Sequence, residues 1–272
     1  MTISDALKYG STLIGRRDTM LLINHVTGES DTYIFLHENT LLPNEEKFLE
    51  CVKRRQLGEP LQYIIGQWDF MGRTIKTDHR ALIPRPETEL LVEEAAKFLK
   101  TITPPYSVLD LCTGSGCIAI AMAAMGCNVT AADISSQALE LARENGSELN
   151  INFIQSNLFS NITSIFDIII SNPPYITTAE MNELSPTVRA YEPNLALHGG
   201  HDGMDIYRQL IPQSLKFLNP GGALFLEIGP TSVKDIMIES GFKNVRLKHD
   251  YAGLPRIIWG ISTHAAFNSG TK

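Results

Sequence analysis

The sequence predicts an α/β protein, a mainly parallel sheet with helices on both faces, preceded by a small helical domain and a β-hairpin. Three observations predict it. From residue 107 onward, short apolar runs rich in β-branched residues alternate with longer segments of helical periodicity, the order that yields parallel strands joined by crossover helices. Before residue 66 only short helical segments are found, punctuated by glycine and proline. Between these parts, residues 68–76 alternate in the strand manner around Gly72.

In chain order, Ser4 is placed to cap a first helix running through Ala6, Leu7 and Tyr9 to Leu13 and Ile14. A second carries Met20, Leu21, Leu22 and Val26 and stops at Gly28. The run 32–37 is too short to assign. Asn44 opens a helix with Glu45 and Glu46 in its first turn and Lys53 in its last, the charge order a helix dipole favours, and Gly58-Glu59-Pro60 ends it. After the hairpin, Pro84 and Pro86 enforce an extended approach, and Pro86 sits where proline suits the start of a helix through Leu90, Leu91, Val92 and Ala95. Strands are expected at 108–111, 129–132, 152–155, 166–170 and 223–227. Helices are expected at 118–125, 137–149, 206–217 (kinked at Pro212) and 232–240. The runs 245–248 and 256–261 have no helix between them and read as an antiparallel hairpin on the sheet edge, bringing the strand count to seven.

Composition narrows the class. No apolar run approaches the roughly 18 residues of a membrane helix, and the opening residues lack the pattern of a signal peptide, so a cytoplasmic protein without a membrane partner is expected. With 23 basic and 30 acidic residues the net charge is −7, which argues against duplex nucleic acid as a direct partner. Lys53-Arg54-Arg55 reads as a solvated helix face. Cys51, Cys112, Cys117 and Cys127 show no metal-ligand spacing and read as free thiols in a reducing compartment. Disorder is expected only at 268–272.

Two stretches carry the chemistry. In the first, strand 108–111 runs through Cys112-Thr113-Gly114-Ser115-Gly116 into a helix, so backbone N–H groups and a closely approaching main chain face a ligand. Asp133, at the end of the next strand, suits the hydroxyls of a ribose. The glycine spacing also meets a loose dinucleotide fingerprint, so NAD is not excluded by spacing. Charge discriminates better: Asp110 repels a pyrophosphate and suits the ammonium of an amino-acid moiety, which favours S-adenosylmethionine. In the second stretch, the run 166–170 ends in Ser171-Asn172-Pro173-Pro174-Tyr175. The prolines stop the strand, and an amide and a ring are held at its end, where open α/β sheets bind ligands. The Asn172 side-chain oxygen and a proline-fixed backbone carbonyl can accept both N–H bonds of a planar NH2 group, turning its lone pair toward an electrophilic methyl. Tyr175 is expected to pack on the flat face of that substrate.

Asn-Pro-Pro-Tyr behind such a glycine loop resembles the amino-methyltransferases, which include DNA adenine and cytosine enzymes and protein glutamine enzymes. Four further stretches are similar to the HemK/PrmC family of peptide-chain-release-factor glutamine-N5 methyltransferases: Gly58-Glu59-Pro60-Leu61-Gln62-Tyr63-Ile64-Ile65-Gly66, Leu82-Ile83-Pro84-Arg85-Pro86-Glu87-Thr88-Glu89, Tyr191-Glu192-Pro193-Asn194-Leu195-Ala196-Leu197 and Gly199-Gly200-His201-Asp202-Gly203. The resemblance implies a helical N-terminal domain (1–66) that recruits substrate, a β-hairpin linker (67–85) and a Rossmann-like, seven-stranded methyltransferase domain (86–272). It implies S-adenosylmethionine as cofactor, no metal, and as partner a class 1 release factor whose Gly-Gly-Gln loop supplies the glutamine. A monomer is expected.

Carried over by position, the cofactor-binding residues are Asp110, Cys112, Thr113, Gly114, Ser115, Gly116, Asp133, Asn157, Leu158 and Asn172. The substrate-binding residues are Asn172, Pro173, Pro174 and Tyr175, of which Asn172, Pro173 and Tyr175 are the catalytic set. Two departures stand out. Asn157-Leu158 replaces an acid and a frequent aromatic, so altered cofactor affinity is expected, and Cys112 replaces a common glycine, tolerable on grounds of size. Arg85 and Glu87 suit either closing the site or pairing with the helix just beginning. Glu227 ends a later strand at the same edge, with no evident partner. His198, His201 and Asp202 have metal-like spacing but flank a glycine pair in a loop. Against this reading stand a different methyl acceptor, such as a DNA base or a ribosomal-protein glutamine, and a non-catalytic cofactor-binding module.

Overall fold

The computed structural model describes residues 1–229, 233–250 and 252–263. In chain order its helices and strands are α1 (Ile3–Ile14), α2 (Arg16–Thr27), α3 (Asp31–Leu36), α4 (Glu45–Gln56), α5 (Leu61–Ile65), β1 (Gln67–Phe70), β2 (Arg73–Lys76), α6 (Pro86–Leu99), β3 (Ser107–Leu111), α7 (Cys117–Ala124), β4 (Asn128–Asp133), α8 (Ser136–Asn145), β5 (Ile151–Gln155), β6 (Phe166–Ser171), α9 (Thr178–Glu183), α10 (Pro186–Tyr191), α11 (Asp205–Ser214), β7 (Leu218–Glu227), α12 (Lys234–Ser240), β8 (Lys243–His249) and β9 (Pro255–Ile261). They fall into two compact units. One holds Met1–Gln67 together with Ser185–Tyr191, and the other holds Trp68–Leu184 and the chain from Glu192 on.

In the first unit α1 is capped by Thr2, not Ser4. The Thr2 hydroxyl accepts the Asp5 N–H (3.1 Å) while the Asp5 carboxylate accepts the Thr2 N–H (3.1 Å), a reciprocal box that places Ser4 inside the first turn. The unassigned run 32–37 is α3, stabilised by Ser30, whose hydroxyl accepts the Tyr33 N–H. Asn44 precedes α4 in a left-handed conformation (φ 55°), and its amide donates to the Val26 carbonyl instead of capping the helix. Ile3, Leu22, Ile23, Ile34, Phe48 and Val52 form the buried core. Helix α10 clusters with this unit, and the Tyr191 hydroxyl donates to the Leu57 carbonyl.

The second unit opens with the expected hairpin, whose turn residues Met71 and Gly72 both have positive φ, as a tight hairpin turn requires. Its sheet has seven strands in the order β5-β4-β3-β6-β7-β9-β8. Neighbours from β5 to β7 are parallel, while β9 is antiparallel to both β7 and β8. Alternation along the central strands separates two cores. Val108, Ile168, Ile170 and Phe225 pack with α6 and α7, whereas Leu109, Leu111, Ile169, Leu224 and Leu226 pack with α11 and α12. Strand order reverses between β3 and β6, so the cleft at their carboxyl ends is the topological switch point of the sheet.

Several boundaries differ from expectation. Helix α8 stops at Asn145 because Gly146 follows, and 206–217 divides into α11, with Pro212 inside it, and the 3-10 turn Leu215–Phe217. Strand β7 starts five residues earlier than expected, at Leu218. The expected helix 232–240 is α12, whose proposed first residue, Ser232, lies outside the described residues, as does the 268–272 tail. Among the described residues no helix is long and apolar enough to cross a membrane.

Candidate active site

At the end of β3 the chain makes a turn with three left-handed residues, Cys112 (φ 58°), Gly114 (φ 55°) and Gly116 (φ 82°). A side chain on Gly116 would crowd Ala142 of α8, its Cβ only 3.1 Å from the Ala142 Cβ, so glycine also allows helix and turn to pack closely. Asp110 lies beneath this turn. Period-2 alternation points it to the α7 face of β3, where it is fully buried. Its Oδ2 accepts the Thr113 hydroxyl (2.5 Å) and the Ala119 N–H (3.0 Å), while Oδ1 is buried with no hydrogen-bond partner among the described residues. Burial pushes its pKa up to about 7 against the pull of those two donors. Asp110 therefore ties the loop to α7 through Oδ2.

Asp133, at the end of β4, combines two jobs. Its Oδ2 accepts the Gly114 N–H (2.9 Å) and its Oδ1 the Ser135 N–H (2.9 Å), so it fixes the loop while lining the cavity. Burial raises its pKa, opposed by those backbone donors. The cavity runs over Cys112, Thr113, Gly114 and Ser115, past Asp133, to Asn157 and Leu158 beyond β5 and to Asn172 and Pro174 beyond β6. Leu158 is held left-handed (φ 49°) in a turn where the Ser156 hydroxyl donates to its carbonyl (2.7 Å). Asn157 is exposed on the cavity wall.

Asn172 leaves β6 on the α6 side, and its Nδ2 donates to the Thr88 hydroxyl (3.1 Å). Pro173 is buried. The Tyr175 ring packs against Gly229, where a Cβ would come within 2.6 Å, and its hydroxyl points to Glu227 Oε1 (3.5 Å), contacts that anchor the loop. The glycine-rich stretch 199–203 backs that loop. Gly199 donates to the Ile176 carbonyl (2.9 Å), and a Cβ on Gly199 would lie 2.6 Å from the Tyr175 Cα.

The other conspicuous residues separate. Asp202 is paired with Arg208, His198 Nε2 meets the Thr178 hydroxyl (2.9 Å), and among the described residues no group of three or more His, Cys, Asp and Glu is placed to hold a metal. Among the described residues Arg85 pairs with the buried Glu192 (2.6 Å) and not with the helix that begins beside it. The four cysteines are free; burial raises the Cys112 thiol pKa far above its usual value and pushes Cys117 up to about 12.

Two family models match, the PrmC N-terminal domain over residues 4–66 and the methyltransferase small domain over residues 87–186. The release factor glutamine methyltransferase of Thermodesulfovibrio yellowstonii is 38% identical over 89% of this chain and 91% of that protein. That of Geobacter sulfurreducens is 36% identical over 90% and 89%, and that of Streptococcus pneumoniae 43% identical over 72% of each. The chain belongs to the release factor glutamine methyltransferases. Solved structures agree on the fold of this methyltransferase. A methyltransferase from Pyrococcus furiosus matches with TM-score 0.52 and 21% identity over 72% of this chain and 91% of that one. The 16S rRNA N2 G1207 methyltransferase of T. Thermophilus matches with TM-score 0.55 and 19% identity over 72% and 49%.

Sequence reading of this methyltransferase overlooked Thr88 and left Glu227 without a partner. Both were recoverable from strand alternation. Ser171 pairs with Leu226 in the β6–β7 ladder, so the next residues, Asn172 and Glu227, are neighbours on the α6 face, where the first turn of α6 places Thr88.

Proposed function

We propose that this methyltransferase transfers a methyl group from S-adenosylmethionine to the side-chain amide nitrogen, N5, of the glutamine in the Gly-Gly-Gln loop of class 1 release factors, supporting translation termination. One observation carries the site assignment: Asn172, its Nδ2 engaged by Thr88, lines the same cavity as the glycine loop and Asp133.

The residues present suit the cofactor. The Asp133 carboxylate keeps acceptor capacity for ribose hydroxyls beyond its two backbone bonds, the Asn157 side-chain oxygen can accept from an adenine amino group, Leu158 gives an apolar wall, and the main chain from Cys112 to Ser115 borders the amino-acid end. When bound, the cofactor supplies an electrophilic methyl group. The protein's part is positioning: the Asn172 Oδ1 and the Pro173 carbonyl accept the two N–H bonds of the glutamine amide, orient its lone pair and stabilise the positive charge that develops on nitrogen. Tyr175 anchors the loop that carries both acceptors. The 1–66 domain recruits the release factor, with 67–85 as its linker to the catalytic part. The protein acts in the cytoplasm as a monomer and binds no nucleic acid directly.

The test offers labelled S-adenosylmethionine with a release factor carrying Gln or Asn in its Gly-Gly-Gln loop. Label should enter the Gln form alone. Asn172→Ala should reduce kcat by about 100-fold or more while the cofactor Kd stays within a few-fold. An unlabelled Gln form overturns the function, and equal turnover by the variant overturns the role of Asn172.

A further inference from the structure

Three side chains from three elements form one connected hydrogen-bond path on the α6 face of the sheet. Asn172 Nδ2 donates to Thr88 Oγ1 (3.1 Å), and the Thr88 hydroxyl donates to Glu227 Oε2 (2.6 Å). The Tyr175 hydroxyl reaches the other carboxylate oxygen, Oε1, at 3.5 Å. Thr88 is 3% exposed and Glu227 2%, with Thr88 at the cavity wall and Glu227 behind it.

The direction of this path follows from donor and acceptor counting. A carboxylate only accepts, so the single proton of the Thr88 hydroxyl is committed to Glu227. The Thr88 oxygen then has only lone pairs to offer, and Asn172 can meet them only with its NH2 end. Asn172 lines the cavity, so its Oδ1 is the end left to face a substrate. A methyl acceptor that must present N–H bonds needs an oxygen there. We propose that Thr88 and Glu227 are positioning residues that hold the Asn172 amide with its oxygen toward the substrate nitrogen, and that the charge on Glu227 sets this orientation. The proposal rests on the amide-methyltransferase reading above, and it goes beyond it by making the acceptor depend on a buried carboxylate two hydrogen bonds away.

Protonation reverses the logic. A neutral Glu227 carboxyl can donate to Thr88 Oγ1, which frees the hydroxyl proton to point at Asn172. The amide is then favoured in the opposite sense, with Oδ1 toward Thr88 and NH2 toward the substrate, where two N–H groups confront one another. The groups facing Glu227 are Glu87 and Thr88 of α6, Cys117 of α7, Tyr175 of the loop, Arg256 of β9, and Tyr207 of α11, whose hydroxyl donates to the Glu227 carbonyl (2.8 Å). Burial is the largest influence on this carboxyl, with Glu87 adding to it and Thr88, Arg256 and Tyr175 opposing. The pKa is raised to about 7.

The experiment measures kcat at saturating cofactor and release factor between pH 6 and 8.5 for the parent, Thr88→Val and Thr88→Ser, together with the cofactor Kd of each. The parent should lose kcat as pH falls through about 7. Thr88→Val, which keeps the shape and deletes the path, should lower kcat by about 10- to 100-fold at pH 8. Its cofactor Kd and release-factor KM should stay within a few-fold, and the inflection should vanish. Thr88→Ser should restore both rate and inflection. A Thr88→Val kcat within twofold of the parent overturns the proposal, as does a parent inflection that Thr88→Val keeps unchanged. If the parent itself transfers no label to a release factor, the proposed function fails instead, so the two failures are distinguishable.

Discussion

Cys112 shows how a single side chain can fit a site by volume and strain it by backbone. Replacing a glycine with a small residue looks harmless, but the position has φ 58°, the left-handed region where an L-residue costs about 1–2 kcal/mol. Two variants separate that strain from loss of the thiol. Cys112→Ala and Cys112→Gly both delete the sulfur, and only the second relieves the backbone. The glycine variant should therefore be more stable than the alanine variant by about 1 kcal/mol after allowance for glycine's greater unfolded-state freedom. Urea unfolding of the pair checks it, and equal midpoints would show that the turn carries no such strain. Residue identities at the site were legible to the extent that they depend on strand ends: Asp133, Asn172 and the glycine loop lie where the sequence put them. The packing of Asp110 against α7 follows from alternation along β3. Val108 faces α6 and α7, so Asp110, two residues on, faces them too.

At the scale of elements, the segment before α6 is tied to a distant loop. Arg85 precedes Pro86 at the helix start, and its guanidinium reaches Glu192, whose side chain is 1% exposed against 33% for Arg85. Arg85→Ala would leave a buried carboxylate unpaired, a loss that for fully buried pairs runs to about 3–5 kcal/mol. With Arg85 partly in solvent, about 2–3 kcal/mol is expected. Adding Glu192→Gln should recover much of it, because the residual cost lies in the stranded charge. Chemical denaturation of the single and double variants measures this, and a double variant no more stable than Arg85→Ala would place the cost elsewhere. Elements with a clear period, such as α6 and β6, were legible from sequence. The connection from residue 176 to 198 was not. Its pieces α9 and α10 are six residues each with no buried side chain, so neither carries the apolar stripe that periodicity detects.

For the whole molecule, the ligand end of the sheet contains two buried carboxyls, Asp110 and Glu227, each pushed up to about 7 mainly by burial. An unfolded chain releases these protons near the ordinary carboxyl values, whereas the folded protein retains them until near neutrality. Between those limits the native state binds more protons than the unfolded state, so stability from these groups is fully present below the unfolded pKa and is lost as pH rises to about 7, by up to ~1.4 kcal/mol per pH unit for each group. Asp110→Asn removes one of them without touching the Thr88 path. The variant should lose less stability than the parent between pH 5 and 7.5, so that the difference between them shifts in its favour as pH rises. Urea midpoints at four pH values give the comparison, and parallel profiles would show that Asp110 ionises in the folded protein as readily as in the unfolded one. The loop tethered by Asp110 borders the cofactor space, so part of the strength with which this end of the sheet is held is set against the burial of a charge. Stability of the cofactor-binding end and ionisation of its carboxyls are therefore expected to change over the same pH interval, with Asp110 governing the first and Glu227 the orientation of Asn172.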